Sequence, residues 1–422
     1  MERCVLDQPI LIAGAGIGGL TTALALHAKG FSVQIFESVR SIRPLGVGIN
    51  LLPHAIEVLQ NLGLLDELRA SGIETQELSY FNRFGQQIWQ EPRGLSAGLP
   101  YPQISIHRGE LQMLLLKAVL ERLGESAVRT GATVTRVAST DQGAELTFLD
   151  ADGDEQQAIG KAIIAADGIH SKVRAQFYPE EGMPLWNGAV MWRGIMSTPA
   201  FLGGRSMFMA GHQAQKFVAY PISQSAYEAG ESLTNWIAEL RFDPTVLAER
   251  EDWNRSGDFS EFAPAFAAWR FPWLDIAALL EAADECYEFP MVDRDPIPRW
   301  SFGRVTLLGD AAHPMYPIGS NGASQSILDA RSVAQALVDN PGSVEAGLAA
   351  YEHERLPPTA AIVHANRGNG PEQVMQLAHE RAPDGFTDID DVVPLAEREA
   401  IAARYKQVAG FSKVALGGAS KR

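Results

Sequence analysis

The stretch PILIAGAGIGGLTTALALHAK, residues Pro9 to Lys29, decides the fold. Pro9–Ala13 reads as a short buried strand, Ile17–Lys29 as a helix, and Ser32–Glu37 as a second strand. A β-α-β unit of this kind predicts a parallel sheet with right-handed crossovers. Between strand and helix, Gly14, Gly16 and Gly19 satisfy G-x-G-x-x-G. Gly14 permits the tight turn, Gly16 lets a pyrophosphate approach the backbone with Ala15 beside it, and Gly19 lets the helix pack on the strand. The helix N-terminus offers free N–H groups and the positive end of its dipole to phosphates. Glu37 ends the second strand, where its carboxylate would accept from adenosine ribose hydroxyls. A glycine-rich turn with no ligand is the alternative.

Outward from this unit, a loop over Ser38–Asn50 contains Gly46 and Gly48, and helical spacing returns at Pro53–Leu62. Gly109–Leu123 is an amphipathic helix, with Leu111, Leu114, Leu115, Ala118 and Val119 on one face. Thr133–Val137 and Ala144–Leu149 read as strands, and Lys161–Ala166 as a buried strand ending at Asp167-Gly168. From about 177 to 295 the texture is antiparallel, with Trp192, Phe208, Phe217 and Trp236 on strands separated by Gly and Pro. Arg304–Leu308 returns to the parallel pattern, and a helix follows Asn321. Residues after about 367 read as a loosely packed helical tail.

A chain of 422 residues suffices for two or three domains. Its formal net charge of −16 argues against nucleic acid and anionic membrane surfaces as main partners. Two cysteines, Cys4 and Cys286, form neither a metal spacing nor a disulfide framework, which fits a reducing cytoplasm. The opening residues, with Arg3 and Asp7, show no signal-peptide pattern, and no run of about 18 apolar residues spans a membrane.

The same fingerprint serves more than one dinucleotide, so other residues must choose between them. Arg108, at the start of the amphipathic helix, can point a guanidinium at phosphates or a ribityl chain, or simply pair on the surface. Asp310 follows a buried strand, where ribityl hydroxyls or a helix-cap role would satisfy it. His313, in the same turn, is expected to make a structural hydrogen bond beside Asp310.

Three segments together resemble the signatures of the single-component FAD-dependent aromatic-ring monooxygenases, the group of para-hydroxybenzoate and salicylate hydroxylases. They are Gly14–Gly19; Asp167-Gly168 with Ser171 and Arg174; and Gly309-Asp310 with Pro317 and Gly322. Within that group, residues 43–50, 105–112, 191–194, 290–296 and 307–325 are most similar to the phenazine-carboxylate hydroxylases. The likeness covers about residues 9–365.

The resemblance implies an α/β fold: a Rossmann-like FAD-binding domain of glutathione-reductase type, an inserted antiparallel-sheet substrate domain, and a C-terminal helical region. The corresponding division is 1–176 (with interleaved strands near the substrate domain), 177–295, 296–365 and 366–422. FAD would be held by Ala15, Gly16, Glu37, Arg108, Val134 (through its backbone, at the adenine), Asp167 and Asp310. Gly322 and Ala323 would present N–H groups to the reduced ring, and Pro317 would line the space where oxygen adds. Gly46 and Gly48 would flank the ring and let it swing.

NAD(P)H would act as a transient co-substrate, with a hydroperoxide at the flavin C4a carbon transferring oxygen to a planar aromatic or N-heteroaromatic ring, with or without decarboxylation. Trp192, Met209, Met291 and Tyr316 are candidates for an apolar ring pocket, as are Met207, Trp236 and Pro290. Tyr220 and Arg193 are candidates for orienting a hydroxyl or carboxylate. Plain core is the alternative for the apolar side chains. At the level of the whole chain, the alternatives are an FAD oxidase or dehydrogenase, or a binding protein of the same fold. A cytoplasmic monomer or homodimer is expected, without nucleic-acid or stable membrane partners.

Overall fold

The computed structural model describes residues 8–141, 143–243 and 255–412; Cys4 and the opening residues lie outside that range. Ile10–Ala13, helix Ile17–Ala28 and Val33–Phe36 form the expected unit. They sit in a six-stranded sheet ordered Ser301–Phe302, Val305–Leu307, Ala162–Ala165, Ile10–Ala13, Val33–Phe36 and Val128–Arg129. All pairs are parallel except the first. Register places Ile10 beside both Ala162 and Val33. Strand Ile10–Ala13 is buried along its whole length, because helices cover one face of the sheet and a three-stranded antiparallel layer (Thr133–Thr140, Gly143–Leu149, Glu155–Gly160) the other.

The second large sheet has seven strands, in the order Tyr287–Asp293, Leu185–Thr198, Ser232–Arg241, Gln215–Pro221, Ser206–His212, Glu77–Phe81 and Gln87–Pro92. The last two come from early in the chain, and Glu77–Phe81 pairs parallel with Ser206–His212. Side chains alternate between the two faces of a strand. One face carries Trp192, Phe208, Phe217 and Trp236 under residues 259–283. The other carries Met207, Met209, Val218 and Tyr220, continuing to Met191 and Met291.

The segment after 367 is not loosely packed. Helices Gln373–Arg381 and Leu395–Val408 bury Val374, Met375, Ala378 and Ile401 against that second face. Lys216, buried in the sheet, pairs with Glu239 at 2.9 Å and with Glu372 at 2.5 Å. The polar sequence of the tail reflects its outer surface; the few apolar positions that anchor it are spread too thinly to read as a core face. Among the described residues no helix is long and apolar enough to cross a membrane.

Candidate active site

Two helix N-termini meet at one groove. At the first, Gly14 has φ +100° and donates its N–H to Phe36 O at 2.8 Å. A Cβ there would lie 2.4 Å from Ala166 O, and one at Gly19 would lie 2.0 Å from Gly14 O. Both positions are therefore glycine because the protein packs against them. Gly16 differs. Its backbone is ordinary (φ −72°, ψ −179°), and a Cβ would meet nothing within 4 Å. Nothing in the protein requires glycine at 16, and the vacant Cβ position faces the groove. The helix it caps has no side-chain cap and no acidic residue in its first turn. Its free N–H groups are a ready anion cradle.

Glu37 stands beside this turn. Its carboxylate accepts from Ala15 N–H at 2.7 Å, Val39 N–H at 2.9 Å and Ser38 Oγ at 3.0 Å. Gln112 fixes the other side of Ala15 by donating to its carbonyl at 2.9 Å. Ala132 N–H bonds Glu37 O, which brings Val134, two residues on, to the same end of the groove.

The second N-terminus belongs to helix Gly322–Asp339. It too lacks a side-chain cap and an acid in its first turn, with Gly322 and Ala323 at its start. The two helices touch where a Cβ on Gly18 would come within 3.3 Å of Ser326 Cβ, and the same Cβ would lie 3.0 Å from Leu308 Cδ2, just before the Asp310 turn. Asp310, in the turn after Leu308, opens on the groove, and its Oδ1 is 4.0 Å from where a Gly322 Cβ would sit. Enclosing protein raises its carboxyl above the usual value, with His313 and Arg108 opposing. Arg108 is exposed at its helix start and makes no hydrogen bond through its guanidinium among the described residues. Asp167 contributes a buried Oδ1 with no partner among the described residues, and burial raises its carboxyl despite bonds from the Ser171 side chain and Val173 N–H.

Behind the groove, Asp329 and Arg174 are each tied to charged partners. His313 makes the structural hydrogen bond expected of it, to Asp329 at 2.5 Å; Asp329 also accepts from Gly309 N–H at 3.1 Å and Arg355 Nε at 2.7 Å. Burial works against the Asp329 carboxylate, yet His313 and Arg355 hold it down at about 2. Arg174 is buried in an ion pair with Glu181 and donates to Ala311 O at 3.1 Å and Ala312 O at 2.9 Å, stapling the Asp310 turn in place. Sequence reading did not find Asp329, Arg355 or Gln112, because their partners are 16 to 97 residues away and no local pattern joins them.

Gly48, on a strand Gly48–Leu51 paired with Gln103–His107, packs directly on the second sheet. Its carbonyl accepts from Arg193 at 2.7 Å and Tyr220 at 2.8 Å, and its N–H donates to Asn235 Oδ1 at 2.7 Å. A Cβ there would lie 2.6 Å from Asn235 Cβ. Gly48 is thus clamped, and the expected mobility at this glycine is not what its surroundings provide. Asn235 was missed in sequence because one asparagine in an apolar strand carries no positional signal.

Met191, Met291, Tyr316 and Ile318 form an apolar cluster beside this clamp, next to exposed Pro317. Burial, then Asp293, push the Tyr316 hydroxyl up to about 12. Met209 and Tyr220 lie on the same sheet face. Trp192 does not: strand alternation sends it to the opposite face, stacked on Phe262 at 4.7 Å, and Trp236 goes with it. Neither reaches the groove.

A family model described as FAD binding domain matches residues 7–215 and 275–366. The chain is 47% identical over 409 residues to phenazine 1,6-dicarboxylic acid hydroxylase PhzS of Lysobacter antibioticus, covering 96% of this chain and 98% of that one. It is 29% identical to 6-hydroxynicotinate 3-monooxygenase of Pseudomonas fluorescens, covering 88% and 90%. A salicylate hydroxylase substrate complex superposes with a TM-score of 0.74 at 21% identity, covering 98% and 97%.

Proposed function

The chain belongs to the FAD binding domain family and is a flavin-dependent aromatic monooxygenase, and from that premise we propose that its substrate is a phenazine carboxylic acid. The open position at Gly16, between two uncapped helix N-termini, is the observation that supports a long dinucleotide in the groove. In this reading the Gly14–Gly19 turn, with Ala15, Gly16 and the first turn of its helix, holds the pyrophosphate. Glu37 and the backbone at Val134 take the adenosine end. Asp310, Arg108 and the unpartnered Oδ1 of Asp167 take hydroxyls and phosphates between. Gly322 and Ala323 set N–H groups and a helix dipole where negative charge develops on the ring system. When bound, FAD takes hydride from NAD(P)H and activates oxygen.

The chain's own residues then have three tasks. Residues 177–243 and 255–295, with strands Glu77–Phe81 and Gln87–Pro92, form a wall that shuts out water. Met191, Met291, Tyr316 and Ile318 offer an apolar surface to a flat ring, with Pro317 at its edge. Arg193, clamped to Gly48 but with its Nε unpartnered, presents an N–H to a ring carboxylate. Identity to a phenazine hydroxylase across nearly the whole chain favours this substrate class over a single-ring acid.

If oxygen enters at the carboxylated carbon, the ring acid, O2, NAD(P)H and a proton give the phenol, CO2, water and NAD(P)+. Incubation of the yellow enzyme with phenazine-1,6-dicarboxylate, NAD(P)H and 18O2 tests this. One 18O in a hydroxyphenazine and one CO2 per NAD(P)H oxidised are expected. A hydroxylated product that keeps both carboxylates would overturn the regiochemistry, and no acceleration of NAD(P)H oxidation would overturn the substrate.

A further inference from the structure

The segment Tyr316–Asn321 carries Pro317 and runs straight into the helix that starts at Gly322. Its backbone turns left-handed at two successive residues, Gly319 (φ +69°) and Ser320 (φ +60°). A residue with a side chain, such as Ser320, takes that conformation at a cost, and its surroundings must hold it there. Inside the segment, Ser320 N–H reaches Pro317 O only at 3.3 Å.

One hydroxyl from the far end of the chain holds it. Tyr405, on helix Leu395–Val408, accepts from Asn321 Nδ2 at 2.6 Å and shares its proton between Ile318 O at 3.1 Å and Asn366 Oδ1 at 2.9 Å. It is donor and acceptor to the same turn. Asn366 Nδ2 donates in its turn to Tyr316 O at 3.0 Å, so the two side chains grip the segment at residues 316, 318 and 321. Tyr405, Asn366 and Asn321 are all buried. The ring is seated as closely: a Cβ on Gly319 would overlap the Tyr405 hydroxyl, and one on Gly370 would lie 2.8 Å from Tyr405 Cε2. Burial, then Glu372, push the hydroxyl up from its ordinary value, so it stays protonated and able to donate. The helix that supplies it is pinned to the second sheet, where Lys406 pairs with Glu91 at 2.5 Å and Arg398 donates to Ile88 O at 2.9 Å.

We propose that Tyr405 is a positioning residue for the reaction: it fixes the turn that sets Pro317 and the N–H groups of Gly322 and Ala323 against the flavin ring, which makes the C-terminal helix part of the active centre. The inference rests on the reading that Gly322 and Ala323 meet the reduced ring. A helix N-terminus favours negative charge only within its first turn, so a turn that drifts from its place weakens that effect.

Tyr405→Phe keeps the ring and removes the hydroxyl. The test is the two-electron midpoint potential of FAD bound to the full-length variant, measured by reductive titration against a reference dye, beside its affinity for oxidised FAD. The potential should become more negative by about 15 mV or more, equivalent to about a threefold loss of preference for reduced over oxidised FAD, while affinity for oxidised FAD stays within about twofold. A hydroxyl that only braced the fold would lower unfolding stability and leave the potential where it was, and that outcome overturns the proposal. Asn366→Ala, which removes a partner of the same hydroxyl, carries the same expectation should the first variant fail to fold. Ala323→Asp sets a carboxylate at the helix start itself and separates the proposal from the reading beneath it. A potential lowered in Ala323→Asp but not in Tyr405→Phe would overturn the positioning role alone; with both unmoved, the placement of Gly322 at the ring falls with it.

Discussion

The groove and the frame behind it treat polar groups in opposite ways. In the groove, Asp167 Oδ1 and the Arg108 guanidinium have no hydrogen-bond partner among the described residues, Asp310 opens outward, and two helix N-termini have no side-chain cap. A few residues behind, Asp329 is engaged on both oxygens, Arg174 meets a carboxylate and three carbonyls, and Gly48 is bonded through both N–H and C=O. Groups left open in a protein carry a desolvation cost that a ligand can relieve; groups closed on one another hold shape. The frame should therefore answer to stability measurements and the groove to flavin retention.

The largest effect is expected in the frame. Asp329→Asn removes the negative partner of Arg355 and disrupts the contacts to His313 and Gly309. Breaking a buried charge pair on one side costs about 3–5 kcal/mol. Urea unfolding of the flavin-free variant should show that loss. The wild type carries a pH signature of the same contact. The Asp329 carboxyl is held at about 2, below its ordinary 3.8, so its contribution is fully present above pH 4 and is lost as pH falls through about 2. The variant should lack that part of the acid limb. Unchanged stability with lost flavin would move Asp329 from frame to groove.

The next effect belongs to the groove. Gly16→Val fits the backbone at 16 and meets no protein atom within 4 Å of the added Cβ, so the flavin-free protein should unfold within about 0.5 kcal/mol of wild type. FAD affinity should fall by about 100-fold, as expected when overpacking costs up to ~3 kcal/mol. Equal loss in both measurements would make Gly16 structural and erase the contrast with Gly14 and Gly19.

How much of this was legible in the sequence follows from the range of each contact. The Gly14–Gly19 turn, its flanking strands and Glu37 lie within one β-α-β unit, where spacing and composition suffice. The Asp310 turn was legible as a strand end before a helix. Its meeting with Gly18 is a long-range packing fact that only the fold displays. The second sheet was legible as antiparallel but not by face: Trp192 and Arg193 are neighbours, and which of them looks toward the groove depends on what covers each side. The tail hid its anchors for a related reason. Val374, Met375, Ala378 and Ile401 look unremarkable until the sheet face they cover is known.

The smallest effect tests where groove and frame meet. Tyr220 is either a substrate contact or part of the clamp on Gly48, and its hydroxyl bond to Gly48 O favours the clamp. Tyr220→Phe removes one donor from a carbonyl that Arg193 still serves, so no acceptor is orphaned. The net loss should be about 0.5–1.5 kcal/mol in unfolding. If the hydroxyl is spent on the clamp, KM for the aromatic substrate should stay within about twofold, well short of the roughly tenfold that ~1.4 kcal/mol of lost binding would give. A KM raised tenfold with unfolding unchanged would show that the hydroxyl turns from Gly48 to the substrate, and that the boundary between the two regions runs on the far side of this strand.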